Sequence, residues 1–511
     1  MKNFSKLFSL LCFLVVSTTF FIGCSDDDTS PQLTGESKQF NLYTKSNPAI
    51  SGTVTFSKRN DNATLITVQL SGTNAGGSHP AHIHAGTAAE GGAILLDLTS
   101  VTGSTGKSET VVTALNNGSP VTYEQLITLD GYVNTHLSGT DLATLIAQGD
   151  IGINELTSTS KTYTLSAVSN SAISGTAKFT KRVSGKALVS IALTGTTPGV
   201  SSIAHIHVNT VAQTGGVVVD LTSVTGSTGK SDTSVNKLNT GAAITYDELL
   251  NFNGYINVHE SATALSTLIA QGDIGKNELT NTSKTYTLNA VSNNAISGTA
   301  KFTKRVSGET LVSISLTGTT AGVSSPAHIH LNTAAQGGAI AIDLTSIIGA
   351  TGKSETSVSK LNNGTTITYE ELLNFNGYIN VHQSASNLTT IIAQGNIGAN
   401  AVNSNIVNYN ITNSGSSSYV FNGGGLTNGS NPNLTLQRGK TYSFTMNTPG
   451  HPFLIKTVQT TGSASAYNNG VTNNGASSGV ISFTVPSDAP NTLYYICEFH
   501  SSMTGIITIT N

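Results

Sequence analysis

Three residues near the end of the chain could share a metal ion: Cys497, His500 and Met503. They stand at Cys-x2-His-x2-Met spacing, so one short loop presents a thiolate, an imidazole and a thioether. Soft sulfur beside imidazole suits copper better than calcium or magnesium. A blue-copper site needs a second imidazole. His451, in Pro449-Gly450-His451-Pro452, is the other histidine in this part of the sequence. Cysteine with two histidines also suits zinc, and a buried cysteine without a metal is simply a small hydrophobe.

A second group of histidines recurs. Ala-His-Ile-His has its first histidine at 82, 205 and 328, a constant step (205 − 82 and 328 − 205 both give 123). Gly-Tyr-x-Asn-x-His ends at His136, His259 and His382 with the same step. In a strand, His-x-His puts both rings on one face. The candidate triads are therefore His82, His84, His136; His205, His207, His259; and His328, His330, His382. Three imidazoles with an open position could hold copper or zinc. The competing reading is structural, with the rings bonded to backbone carbonyls at a sheet edge. Of the 12 histidines, only His79, beside the first triad, lies outside these two groups.

The elements that must position these residues are strands. Charged residues make up 10% of the chain, there are 52 glycines and no tryptophan, and Thr, Ser, Asn and Val abound. That composition favours strands and turns over helices. An apolar run, Tyr494-Tyr495-Ile496, precedes the sulfur ligands and Gly505-Ile506-Ile507-Thr508-Ile509 follows, which reads as strand, ligand loop, strand. Tyr419-Val420-Phe421, Leu434-Thr435-Leu436 and Tyr442–Met446 are further strands, and residues 460–478 read as a mobile loop rich in Gly, Asn and Ser. Within each copy of the repeat the pattern is strand-rich, as in Leu188–Leu193. Two short helices are expected per copy. One follows the capping boxes Thr122…Gln125, Thr245…Glu248 and Thr368…Glu371. The other is Ala264–Gln271, capped by Gly272.

The expected fold class is all-β: tandem antiparallel β-sandwiches with short helical insertions, then a final sandwich. The expected boundaries are 1–23 signal peptide, 24–36 tether, 37–156, 157–279 and 280–402 repeats, 403–418 linker and 419–511 final domain. Each copy is long enough to bury its own core.

On the His451…Cys497-x2-His500-x2-Met503 order and the Met-x-Gly opening the last strand, roughly the last hundred residues resemble the plastocyanin-like (type 1 copper) cupredoxins. The resemblance implies a Greek-key sandwich with one copper held by His451, Cys497, His500 and Met503. It also implies Cys497 as thiolate donor, Met503 as weak axial ligand and His500 as the edge where electrons enter. On Ala81-His82-Ile83-His84, Gly91-Gly92 with Asp97-Leu98, and Gly131–His136, the repeats resemble the CHRD domain, common in bacterial surface proteins. Gln148-Gly149-Asp150-Ile151-Gly152 stands where that family has a Gly-Glu-Ile-Arg-Gly-like segment. Copper/zinc superoxide dismutases also carry a His-x-His strand, but this chain lacks their disulfide and a bridging histidine.

The N-terminus suggests an address. Lys2 and Lys6 precede an apolar run ending Phe21-Ile22-Gly23-Cys24, which resembles a bacterial lipoprotein signal with lipid on Cys24. Ser25-Asp26-Asp27-Asp28 resembles the export signal of Bacteroidetes-type surface lipoproteins. The expected location is the outer membrane, exposed at the cell surface and held by the lipid. Cys12 leaves with the signal, so Cys497 is the remaining thiol and no intramolecular disulfide is available. A net charge of −3 without a basic cluster gives no reason to expect nucleic acid. No nucleophile elbow, P-loop or carboxylate pair stands out. Asp97, Asp220 and Asp343 read as turn or strand-end residues rather than catalysts, and Tyr132, Tyr255 and Tyr378 as core or edge aromatics. The function expected is one-electron transfer or copper holding, with an unidentified redox partner, rather than catalysis. The alternatives are an adhesion or scaffold protein whose repeats bind a partner or glycan, and a copper enzyme using a triad.

Overall fold

The structure is a computed structural model that describes residues 30–46, 49–169, 172–293, 295–401 and 406–511. The expected signal peptide (1–23) and lipidated Cys24 lie outside the described residues. Among those described, no helix is long and apolar enough to cross a membrane. The chain divides into two compact units, the first ending at Glu278 and the second running Leu279–Asn511.

The all-β expectation holds. In the first repeat the strands are β1 (Leu33–Thr44), β2 (Ser51–Arg59), β3 (Thr64–Ser71), β4 (Ser78–Ala85), β5 (Ile94–Thr102), β6 (Lys107–Val112), β7 (Asp130–Ser138) and β8 (Asp141–Gly152). Their order around the sheet is β1-β2-β3-β6-β5-β4-β7-β8, and β8 pairs back with β1 through Tyr43↔Gln148 and Thr44↔Ala147. Each repeat is thus one continuous sheet closed into a barrel where two facing sheets are expected. The seam is thinnest between β5 and β6, which pair only through Thr102↔Lys107. Alternation fills the interior: β3 buries Thr64, Ile66, Val68 and Leu70 and turns the residues between them outward. Phe40, Phe56, Ile83 and Val133 complete the same core. The second barrel runs from Leu156–Ala167 to Leu268–Gly275 and the third from Leu279–Ala290 to Asn387–Gly398, with the same connectivity.

The capping-box helices are present. In the second barrel Thr245 accepts from the Glu248 N–H, and the Glu248 carboxylate accepts from the Thr245 N–H. Replacing Thr245 by Ala is expected to destabilise the first unit by about 1 kcal/mol, read as a lowered urea midpoint at unchanged slope.

The second expected helix is not there. Ala264 lies in a turn, and Leu268–Gly275 is a strand between Asn253–His259 and Leu156–Ala167. Leu265 is half exposed rather than buried on a helix face. Gly272 serves close strand approach, not a cap: a Cβ there would sit 2.1 Å from the Thr164 carbonyl oxygen.

Two boundaries also shift. β1 begins at Leu33, inside the expected tether. The expected linker, 403–418, contains the strand Ile406–Ser414, which pairs in parallel with Thr441–Asn447. That strand belongs to the final domain, a sandwich of a six-stranded and a four-stranded sheet. Its core holds Tyr419, Phe421, Phe444, Met446, Phe453, Tyr495 and Ile507. The segment expected to be mobile is tied down. Lys456, fully buried, donates to the carbonyls of Thr460 and Gly462, and the Asn474 amide donates to the carbonyls of Ile455 and Tyr467.

Candidate functional site

In the final domain, Thr492–Cys497 and Thr504–Thr510 are paired antiparallel strands, and the ligand loop joins them. Cys497 is the last residue of the first strand, and its N–H donates to the Met503 carbonyl (2.9 Å). The Met503 N–H donates to the His500 carbonyl, which closes a tight turn. His451 arrives from a turn just before Phe453–Lys456, the strand that pairs with Thr492–Cys497. The expected residues therefore meet. Cys497 Sγ is 3.4 Å from His500 Nδ1 and 3.8 Å from His451 Nδ1, and the two Nδ1 atoms are 3.2 Å apart. Cys497 and Met503 are fully buried in the same core, while both histidines are half-buried.

The surroundings fix the loops. Tyr419 donates its hydroxyl to the carbonyls of His451 and Pro452, both at 3.0 Å. Burial pushes this phenol far above its ordinary range, so it stays a donor. Thr448 donates to the His451 carbonyl, and Asn431 donates to the Ser502 carbonyl. Two imidazole nitrogens and a thiol converging in a shielded pocket fit a soft or borderline metal such as copper.

The repeat histidines also converge. In each triad, one nitrogen from every ring lies within 4.8 Å of the others. They sit on the outer wall of the barrel, because the alternating partners Ala81, Ile83 and Val133 fill the interior. His82 faces Asn134 across β4 and β7, and His84 faces Tyr132. His136 follows on the same face, beside a register shift in β7–β8. Tyr132 stacks on His84 with centroids 4.9 Å apart. The expected backbone bonds exist for two rings of the triad: His84 Nδ1 donates to the Gly92 carbonyl (3.0 Å) and His136 Nδ1 to the Leu142 carbonyl (2.6 Å). Burial holds His82 and His136 below the ordinary histidine range, with the neighbouring rings adding to it, and so keeps them neutral near pH 7. His205, His207, His328 and His382 are lowered by the same cause. His79 is separate: its Nδ1 bonds the Leu137 carbonyl.

Residues 155–264 match the family model of the CHRD domain. This stretch is a CHRD domain. No curated protein matches the chain. A solved structure of the copper protein rusticyanin is similar over 21% of this chain and 78% of its own, at 21% identity and a TM-score of 0.16. The BSP domain of a biofilm-associated protein is similar over 93% of this chain and 96% of its own, at 11% identity and a TM-score of 0.15. Scores that low define no shared fold.

The CHRD domain contains the triad His205, His207, His259 and the capping-box helix. It also shows a residue role that sequence reading missed. Asp220 is paired across the strands with His205, and its Oδ1 lies 3.6 Å from His205 Nε2. The Asn239 amide donates to the other oxygen of that carboxylate. Asp97 and Asp343 stand the same way at His82 and His328, both at 3.7 Å. The signal was available: Asp recurs at the repeat step, 15 residues after the first histidine of each triad (97 − 82, 220 − 205, 343 − 328).

Proposed function

We propose that the chain is a copper-binding surface protein whose C-terminal domain is a cupredoxin. On this reading all three barrels are CHRD-like domains that carry it on a lipid anchor at Cys24. The observation that carries the proposal is the meeting of His451, Cys497 and His500, from two separate loops, with Met503 buried in the same core as Cys497. His451 Nδ1, His500 Nδ1 and the Cys497 thiolate would hold the ion, and Met503 would supply the weak fourth contact. A copper ion so held supplies one-electron exchange between its two oxidation states. The chain's own groups do the rest. Tyr419, Thr448 and Asn431 hold the two loops in register, and the aromatic core beneath Cys497 excludes water. Half-buried His500 lies beside Phe499, which is 64% exposed, so the ligand edge and an apolar contact point coincide for a redox partner. No bond-making step is assigned to the site.

The test is copper loading of residues 25–511, followed by metal analysis and a visible spectrum. An intense thiolate-to-copper band is expected. A chain that takes up no copper after loading would leave the scaffold reading in its place.

A further inference from the structure

We propose that each barrel carries its own three-imidazole site for a late first-row divalent cation, formed by His82, His84 and His136 and by their counterparts at the repeat step. This does not rest on the cupredoxin reading.

The argument is about where every ring nitrogen goes. His84 Nδ1 and His136 Nδ1 donate to backbone carbonyls, which fixes the tautomer and leaves each Nε2 with a lone pair. The same bonds recur at His207 and His259 (to Gly215 and Leu265) and at His330 and His382 (to Gly338 and Leu388). The first histidine is reversed. Its Nε2 faces the Asp carboxylate, so its Nδ1 is the atom turned toward the other two rings. A carboxylate or carbonyl behind each ring is how metal-bound histidines are held.

Some inward nitrogens have no hydrogen-bond partner, while the first and third rings of the first and third triads lie within hydrogen-bonding distance of each other. His207 Nε2 and His330 Nε2 are buried with no hydrogen-bond partner, on side chains whose residues are 8% exposed. His205 Nδ1 is likewise buried without one. In the first copy the one bond to His84 Nε2 is a long one, 3.4 Å from the Asn134 amide nitrogen, whose oxygen accepts from Gln148. Buried polar atoms left unpaired need an explanation, and a cation-binding role is one.

The spacing suits a small cation. His82 Nδ1 and His136 Nε2 are 3.2 Å apart, and His328 Nδ1 and His382 Nε2 are 3.1 Å apart. Two nitrogens bound tetrahedrally at about 2.0–2.1 Å would stand about 3.3 Å apart. Stacked Tyr132, Tyr255 and Tyr378 restrict the middle ring of each triad. All-imidazole donors suit zinc, copper or nickel and not calcium or magnesium.

The experiment uses untagged residues 25–511 carrying Cys497→Ser, which removes the thiolate of the C-terminal site. The probes are zinc(II) and copper(II), each alone, by equilibrium dialysis. Three equivalents of at least one ion are expected, with a rise in melting temperature. His82→Ala should remove one equivalent, and the His82→Ala/His205→Ala/His328→Ala chain should lose all three. This first histidine is chosen because it makes no backbone bond, and His82→Gln serves as the milder second variant. Folding is checked by far-ultraviolet circular dichroism. Copper bound in this background should show nitrogen and no sulfur ligation in its paramagnetic resonance spectrum. Fewer than one equivalent of either ion, or three equivalents kept by the folded triple variant, would overturn the proposal. Because Cys497 is absent throughout, a failure here leaves the cupredoxin reading standing.

Discussion

Cys497→Ser is expected to erase the intense visible band of the copper-loaded chain and to weaken copper binding at the C-terminal site by well over 100-fold. Losing an outer-shell partner of a metal ligand typically costs about 10–100-fold, and here the strongest donor itself is removed. The thiolate is irreplaceable because the other sulfur at the site, the Met503 thioether, is neutral and a weak donor. Its neighbours are His500 Nδ1 at 3.4 Å and His451 Nδ1 at 3.8 Å, and Cys497 is the free cysteine among the described residues. The fold should survive, since Ser is nearly isosteric and its hydroxyl can bond an adjacent imidazole. Met503→Leu is the contrasting variant. It should keep the band and change the reduction potential, because a thioether in the axial position tunes rather than anchors. The measurement is a copper titration followed by absorption and by competition with a chelator of known affinity. A serine variant that retains the band would place the copper elsewhere. A wild-type chain that binds copper tightly without any such band would mean that the thiol is a core residue and the ligands are imidazoles alone.

Much of this site is readable in one dimension. Cys497, His500 and Met503 sit on one loop, so their spacing alone puts them together, and His451 needed only a second strand pairing beside Cys497. The triads were equally legible, because His-x-His fixes a face and the repeat step marks each copy. Barrel closure was not. It depends on Tyr43 pairing with Gln148, a contact between the two ends of a repeat that leaves no local mark. The strand Leu268–Gly275 was misread for a related reason. Leu265, Leu268 and Ile269 are spaced as on a helix, and the pairing that overrides this comes from Leu156–Ala167, about a hundred positions away. Asp97, Asp220 and Asp343 failed for the opposite reason. Their recurrence was visible, but their closeness to a ring nitrogen comes from the strand register.

Arg182 was hidden in the same way. It follows Lys181 in the sequence as one of two adjacent basic residues, yet it is fully buried, and its Nη1 donates to Asp150 Oδ2 and to the Asn154 carbonyl, both at 2.6 Å. Asp150 ends the first barrel and Arg182 lies in the second, so within the first unit this ion pair joins the two. The other oxygen of Asp150 accepts from the Ala88 N–H. Arg182 Nε and Nη2 are buried without partners, so the pair already carries a desolvation burden. Asp150→Ala should therefore be severe. It leaves an uncompensated buried cation, which typically costs about 3–5 kcal/mol, and it strips the Ala88 N–H of its acceptor. The measurement is the urea midpoint of the first unit's unfolding transition. Removing both charges should hurt less than removing one: Asp150→Leu with Arg182→Met is expected to recover most of the loss, since apolar side chains of similar volume often replace a buried ion pair at little net change. Asp150→Asn should fall between. The third copy has made that substitution itself: Asn396 keeps the bond to the Ala334 N–H and gives up the charge. If Asp150→Ala shifts stability by less than about 1 kcal/mol, the range of an exposed pair, then Arg182 is reached by water and the junction is held by its backbone bonds. Those run from Val183 to the Glu155 carbonyl and from Ser184 to the Ile153 carbonyl.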